Sequence, residues 1–173
     1  MPVGNPWPGS TRAERLANVL IVRFLHYLGI AMWLGGLIAG IVLIAGSNRR
    51  VEEVRAALLD AAGKLVSLIV GPGAIITVGT GVVWSMAITG GGSVEGRVAP
   101  LGLLMMSAFG FLGALVALFV TMPAASKLRK LLATAQDLDK SDAFEKLRKR
   151  VEIGSYASGV FAILSLFASV LSP

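Results

Sequence analysis

The sequence has no cysteine and a single histidine, His26. Without cysteine there is no disulfide framework, no thiolate metal site and no cysteine nucleophile. There is also no Ser–His–Asp arrangement, no carboxylate pair and no phosphate-binding loop, so hydrolysis and phosphoryl transfer have no visible apparatus. Charge is scarce: 15% of the 173 residues are Asp, Glu, Lys or Arg, against 55% hydrophobic. At a mean hydropathy of +0.77, a soluble domain of this size has too little interior to hide its apolar surface. The formal charge of +6 has the sign that nucleic acid binding needs. The cations sit beside long apolar runs, however, where they set membrane topology and meet lipid headgroups. The partner expected from composition is the lipid bilayer, with no nucleic acid.

What the sequence does have is four apolar stretches, at about 16–45, 65–89, 100–124 and 151–171. Each approaches the roughly 20 apolar residues needed to cross a ~30 Å hydrocarbon core. None alternates with period two, so helices rather than a closed barrel must satisfy the backbone. The expected fold is all-α: a polytopic four-transmembrane-helix bundle, one membrane domain over residues 1–173. Residues 1–14 are read as an extracytoplasmic lead-in, opening on the Pro- and Gly-rich "MPVGNPWPGS". Ser10 or Thr11 followed by Glu14 has the form of a capping box at the start of the first helix. The first apolar run is longer than a signal-peptide core and three more spans follow it, so it is read as a span.

Basic residues set the orientation. Arg49, Arg50, Arg55 and Lys64 lie between spans one and two. Lys127, Arg129, Lys130, Lys140, Lys146, Arg148, Lys149 and Arg150 lie between spans three and four, which brings 12 of the 16 Lys and Arg to one side. The positive-inside rule then makes both connections cytoplasmic and puts both termini outside. This is the arrangement of a multi-pass protein of the bacterial inner membrane. Both connections are expected to be helical extensions of the spans. In "RRVEEVRAALLDAAGKL", Val51, Val54, Ala57, Leu58 and Ala61 form one stripe, which predicts an interfacial helix running into span two. The second connection reads as two helical extensions joined near Asp139–Asp142 and capped by Ser141, with a solvated charged face at the membrane surface.

Small residues crowd spans one to three, including a GxxxG pair at Gly36 and Gly40, and Gly29, Gly73, Gly110 and Gly113. In lipid such residues let helix backbones approach closely. Pro72 in "VGPGA" predicts a kink in span two near its cytoplasmic third.

Ionisable residues inside spans are costly and point to function. Arg23 lies near the outer edge of span one and is long enough to snorkel to headgroups. His26 lies a turn deeper on the same face, with Gly29 and Trp33 at i+3 and i+7. A short imidazole cannot snorkel, so it must face the bundle or a cofactor. A neutral imidazole ligates haem iron or copper; the other reading is a histidine hydrogen-bonded to a hydroxyl or carbonyl of another span. Met105 in span three, at a depth comparable with His26, is a candidate second soft ligand, and methionine is equally an ordinary gap filler.

"FLHYLGIAMWLGGLIAG", with its His–x2–Gly–x3–Trp–x–Gly–Gly spacing, resembles the first helix of a superfamily of small bacterial membrane proteins. It comprises the copper-resistance D (CopD) domain, the HemJ-type protoporphyrinogen oxidases and an uncharacterised four-helix branch. "KLVSLIVGPGAIITVGTGVVW" is similar to the second helix of these proteins, "MPAASKL" to the uncharacterised branch, and "LRKRVEIGSY" loosely to the HemJ approach to the last helix. The resemblance implies a haem b ligated by His26, with Arg23, Trp33 and Met105 as further cofactor-binding candidates. It also implies electron transfer to a quinone or other redox partner, or oxidation of a porphyrinogen. Span three departs from HemJ in having no His or Lys, and Ile153–Gly154 stands where a Glu–x–Pro pattern is expected; whether the chain is an enzyme is left open. Two alternatives stand beside this reading. One is a non-catalytic subunit packing through glycine-rich faces, as a homo-oligomer or within a larger membrane complex. The other is a copper-handling protein using His26 and methionines.

Overall fold

The first helix begins at a reciprocal cap. Thr11 N–H donates to the Glu14 carboxylate at 2.6 Å, and Glu14 N–H donates to Thr11 Oγ1 at 3.3 Å. Two of the four unpaired amide groups of a helix start are so satisfied, and the anionic form that makes these bonds is favoured, which lowers the Glu14 pKa. The computed structural model describes residues 11–47, 50–89, 101–134 and 142–170. Most of the expected lead-in, residues 90–100 between spans two and three, and Ser141 lie outside them.

From the cap, α1 runs unbroken over Arg12–Ser47. Its 36 residues make a rod of about 54 Å. The second rod is α2 (Glu52–Leu65), a π-helical turn (Val66–Val70) and α3 (Gly71–Thr89). The third is α4 (Leu101–Leu115), a π-helical turn (Val116–Thr121) and α5 (Met122–Thr134). The fourth is α6 (Asp142–Val170). The architecture is all-α, with four helices each long and apolar enough to cross a membrane. Outward side chains are apolar along much of their length: Phe24 is 65% exposed and Phe119 70%.

Both π turns have the same local cause. Pro72 and Pro123 each stand two residues beyond the end of a turn. A proline inside a helix lacks the N–H for its i−4 carbonyl, and its ring crowds that oxygen; one wide turn relieves the clash without breaking the rod. The two irregular regions also meet: a Cβ on Gly71 would lie 3.0 Å from Met122 Cε. Where a kink was expected at Pro72 the structure has a π turn, and span three has a second one.

Two clusters fill the bundle. One surrounds Trp33, which is 2% exposed, with Leu37, Val70, Ala74, Ala114, Ala117 and Ala162. The other lies at the basic end, where Leu59, Ala62, Val66, Leu128, Phe144 and Val151 pack with Ile44. This second cluster corrects one expectation. The extensions are not merely a solvated charged face: α2, α5 and the start of α6 share an apolar core, because each carries large apolar residues on its inward line. Along α2 and into the π turn that line is Leu59, Ala62 and Val66, and the interfacial stripe's Val51 and Val54 lie on another side, exposed. Small residues decide the inward side. Gly63 takes the stem of Arg129, whose Cγ and Cδ would lie 2.6 Å from a Cβ there, and Asp60 holds Arg129 Nε at 3.1 Å and Lys64 Nζ at 2.8 Å.

Candidate functional site

At the other end, helix contact is set by glycine. A Cβ on Gly29 of α1 would lie 2.7 Å from Thr77 Oγ1 and 2.9 Å from Thr77 N; one on Gly73 of α3 would lie 2.7 Å from Trp33 N. Backbone thus meets backbone, an approach that only glycine permits. Of the GxxxG pair, Gly36 packs on Val70, whereas nothing lies within 4 Å of a Cβ placed on Gly40.

This contact brings α3 hydroxyls and carbonyls to His26. Its Nδ1 is 3.0 Å from Thr77 O and 3.1 Å from Thr80 Oγ1. Thr80 Oγ1 donates its own proton to Ile76 O at 2.5 Å. Both neighbours of Nδ1 are therefore acceptors, and the hydrogen must sit on Nδ1. In the neutral ring this leaves Nε2 with its lone pair exposed. Among the described residues His26 makes no hydrogen bond beyond these two. On the Cε1 side stands Gly81, where a Cβ would be 3.2 Å away.

His26 faces a cavity of about 720 Å³ walled by α1, α3, α4 and α6. Ile30 and Trp33 line it from α1, and Thr77, Gly81, Trp84 and Ser85 from α3. From α4 come Met106, Ser107 and Gly110, and from α6 Ala162 and Ser165. No lining residue is charged. This volume lies within the usual 300–1,000 Å³ range of small-molecule sites, as does the mix of apolar wall and few polar atoms. The cavity opens between α3 and α4, where Val82, Met86 and Phe111 are at once lining residues and outer surface.

The walls are held by hydrogen bonds between helices. Trp33 Nε1 donates to Ser158 Oγ at 3.1 Å, and Ser158 Oγ donates to Gly113 O at 2.9 Å, linking α1, α6 and α4. The Trp33 ring lies on Gly113, whose Cβ would be 3.1 Å from two of its carbons. Ser165 Oγ donates to Met106 O at 2.8 Å. At the rim, Trp84 meets His26 edge-on at 5.6 Å between centroids, and the Arg23 guanidinium sits 5.6 Å from the Trp84 ring and 5.8 Å from that of Tyr27.

Of the four residues singled out from sequence, His26 and Trp33 line the cavity. Arg23 stands at its rim on aromatic faces. Met105 is 43% exposed on α4 and lines nothing; its neighbour Met106 faces the cavity. Sequence reading missed Thr77, Thr80, Ser158 and Trp84. The Thr77–Thr80 pair, two hydroxyls one turn apart in an otherwise apolar span, was the available signal. Among the described residues no three His, Cys, Asp or Glu side chains come together as a metal-ligand group. Comparison with protein-family models, with curated proteins and with solved structures finds no match for the chain.

Proposed function

We propose that this chain is a multi-pass protein of the bacterial inner membrane, both termini outside, that binds a haem b-type macrocycle through His26 Nε2 and serves a redox role. The membrane part rests on four long apolar helices with apolar outer faces and on the concentration of cations at one end. The cofactor part rests chiefly on one observation: the Nδ1–H of His26 is bound by Thr77 O and Thr80 Oγ1, which leaves Nε2 free on a ring that lines the cavity. Histidines that ligate metals have their other N–H fixed in this way, which sets tautomer and ring orientation.

The donor set fits a metal that arrives already chelated. A lone imidazole among Ser, Thr and Met cannot enclose a bare ion, whereas a macrocycle brings four equatorial ligands and needs only axial ones. That argument ranks haem ahead of copper. When bound, such a group supplies a one-electron couple. The chain's own residues would bind and orient it: His26 from α1 would supply the ligand nitrogen, and Trp33 from α1 and Met106 from α4 line the same cavity. Arg23 at the rim is the cation nearest the site for acidic substituents. The opening between α3 and α4 suits a membrane-dissolved electron partner such as a quinone, or a porphyrinogen substrate.

The test is the visible spectrum of the detergent-purified protein, oxidised and then dithionite-reduced, expressed with haem available, alongside His26→Ala. A Soret band that shifts on reduction and is lost in His26→Ala is expected. Full haem content in His26→Ala refutes the assignment, and bound copper without porphyrin would replace it. A second reading, a non-catalytic packing subunit, is favoured by Gly35 and Gly79, which face outward with nothing within 4 Å of a Cβ. A colourless protein co-purifying with a larger complex would establish it.

A further inference from the structure

A groove of about 370 Å³ runs between α6 and the second π turn, on the outside of the bundle and away from the His26 cavity. Val116 and Val120 form one wall, Ile153 and Ala157 the other. Lys146, Lys149 and Arg150 stand at its basic end. On α6 these residues recur at three- and four-residue spacing, so they share one face that changes from cationic to apolar along its length. Gly154, also on this face, is where α6 touches the π turn; a Cβ there would be 2.5 Å from Thr121 Oγ1.

The cations are available. Glu145, the nearby carboxylate, is held by Arg148 through two bonds of 2.9 and 3.0 Å, and its contact with Lys149 is at 3.9 Å. Lys146 and Arg150 form no ion pair among the described residues. From Lys146 to Ala157 the face spans about 16 Å, room for a phosphate at one end and a good part of an acyl chain along the other. A soluble anion would use the cations and leave the apolar walls idle; an apolar helix would bury the cations unpaired.

We infer that this groove is a binding site for one anionic phospholipid, its phosphate at Lys146, Lys149 and Arg150 and an acyl chain between Val116, Val120, Ile153 and Ala157. The inference rests on the membrane reading of the four helices and is independent of any cofactor.

The experiment is native mass spectrometry of the full chain in detergent, titrated with phosphatidylglycerol or phosphatidylcholine of matched chains. Resistance of the chain to carbonate extraction from membranes is established first, so that failure of the membrane reading is seen separately. The wild type should bind phosphatidylglycerol at least tenfold more tightly than phosphatidylcholine. At about fivefold per cation near a membrane surface, the triple variant Lys146→Gln, Lys149→Gln, Arg150→Gln should lose on the order of a hundredfold. The control Arg50→Gln, Lys127→Gln, Lys130→Gln should retain the preference. Ala157→Trp, which fills the groove and keeps its cations, should lose it. Equal affinity for the two lipids, or equal loss in the control, overturns the proposal. So does competition by inorganic phosphate at the concentration of the lipid, which would mark a phosphate site. A dimer abolished by the groove variants would give the face to a second copy and overturn it too.

Discussion

Alanine at Gly73 and at Gly79, both on α3, should have opposite effects. At Gly73 the new Cβ lies 2.7 Å from Trp33 N and 3.0 Å from Gly29 O. These are backbone atoms, so no side chain can rotate away. Reaching an ordinary 3.4 Å contact moves α1 and α3 apart by about 0.7 Å. A rigid shift of that size takes His26 Nδ1 from 3.0 Å to about 3.7 Å from Thr77 O, beyond hydrogen-bond range. Overpacking costs about 1–3 kcal/mol, and the lost buried hydrogen bond roughly another 1 kcal/mol. Together they predict a loss of about 2–4 kcal/mol, or on the order of 4–16 °C in Tm for a chain of this size. At Gly79 nothing lies within 4 Å, and alanine should be neutral or gain up to about 1 kcal/mol through helix propensity. The assay is thermal unfolding in detergent; if the proposed haem is bound, its content per chain is a second readout that should fall in Gly73→Ala and not in Gly79→Ala. Equal melting of the two variants would refute the backbone contact between α1 and α3, and with it the account of how His26 is held.

Two further predictions follow from the same geometry. Ser158→Ala removes the acceptor of Trp33 Nε1–H and the link to Gly113 O, stranding a buried donor at a cost of about 1–3 kcal/mol; unchanged Tm would show that Trp33 needs no partner. Because the chain has no native cysteine, single substitutions report topology cleanly: Ala13→Cys should react with an impermeant maleimide on intact spheroplasts, and Lys127→Cys only after permeabilisation, the reverse pattern overturning the orientation.

The spans were legible because hydropathy over some twenty residues is a sum, and sums survive local error. The cap at Thr11 and Glu14 was legible because both partners lie within one turn. The surroundings of His26 were not: Thr77 and Thr80 are 51 and 54 residues away, and only the close approach at Gly29 and Gly73 sets them beside it. Depth along a span could be read from sequence, but not azimuth. Met105 and Met106 differ by one residue and therefore by about 100° around the helix, enough to put one outside and the other in the cavity. Azimuth was equally hard to read on α2. Two apolar lines run along that helix, and the one turned inward was chosen by Gly63 admitting Arg129, a contact between residues far apart in the chain.

The two ends of the bundle are built differently, and the difference bears on function. The basic end is filled by large apolar side chains and crossed by the Asp60–Arg129 pair. The His26 end is hollow, its walls kept in place by glycine contacts and hydroxyl bridges. This cavity of about 720 Å³ is not sealed, and the opening between α3 and α4 gives lipid-soluble molecules a way in. At Gly81 and Gly110 a Cβ would already lie 3.2 Å from His26 Cε1 and 3.3 Å from Ser165 Oγ, so these glycines hold the helices close around the space. The walls carry a histidine, two tryptophans and a handful of hydroxyls, a lining that fits the proposed ligand site better than a packing defect.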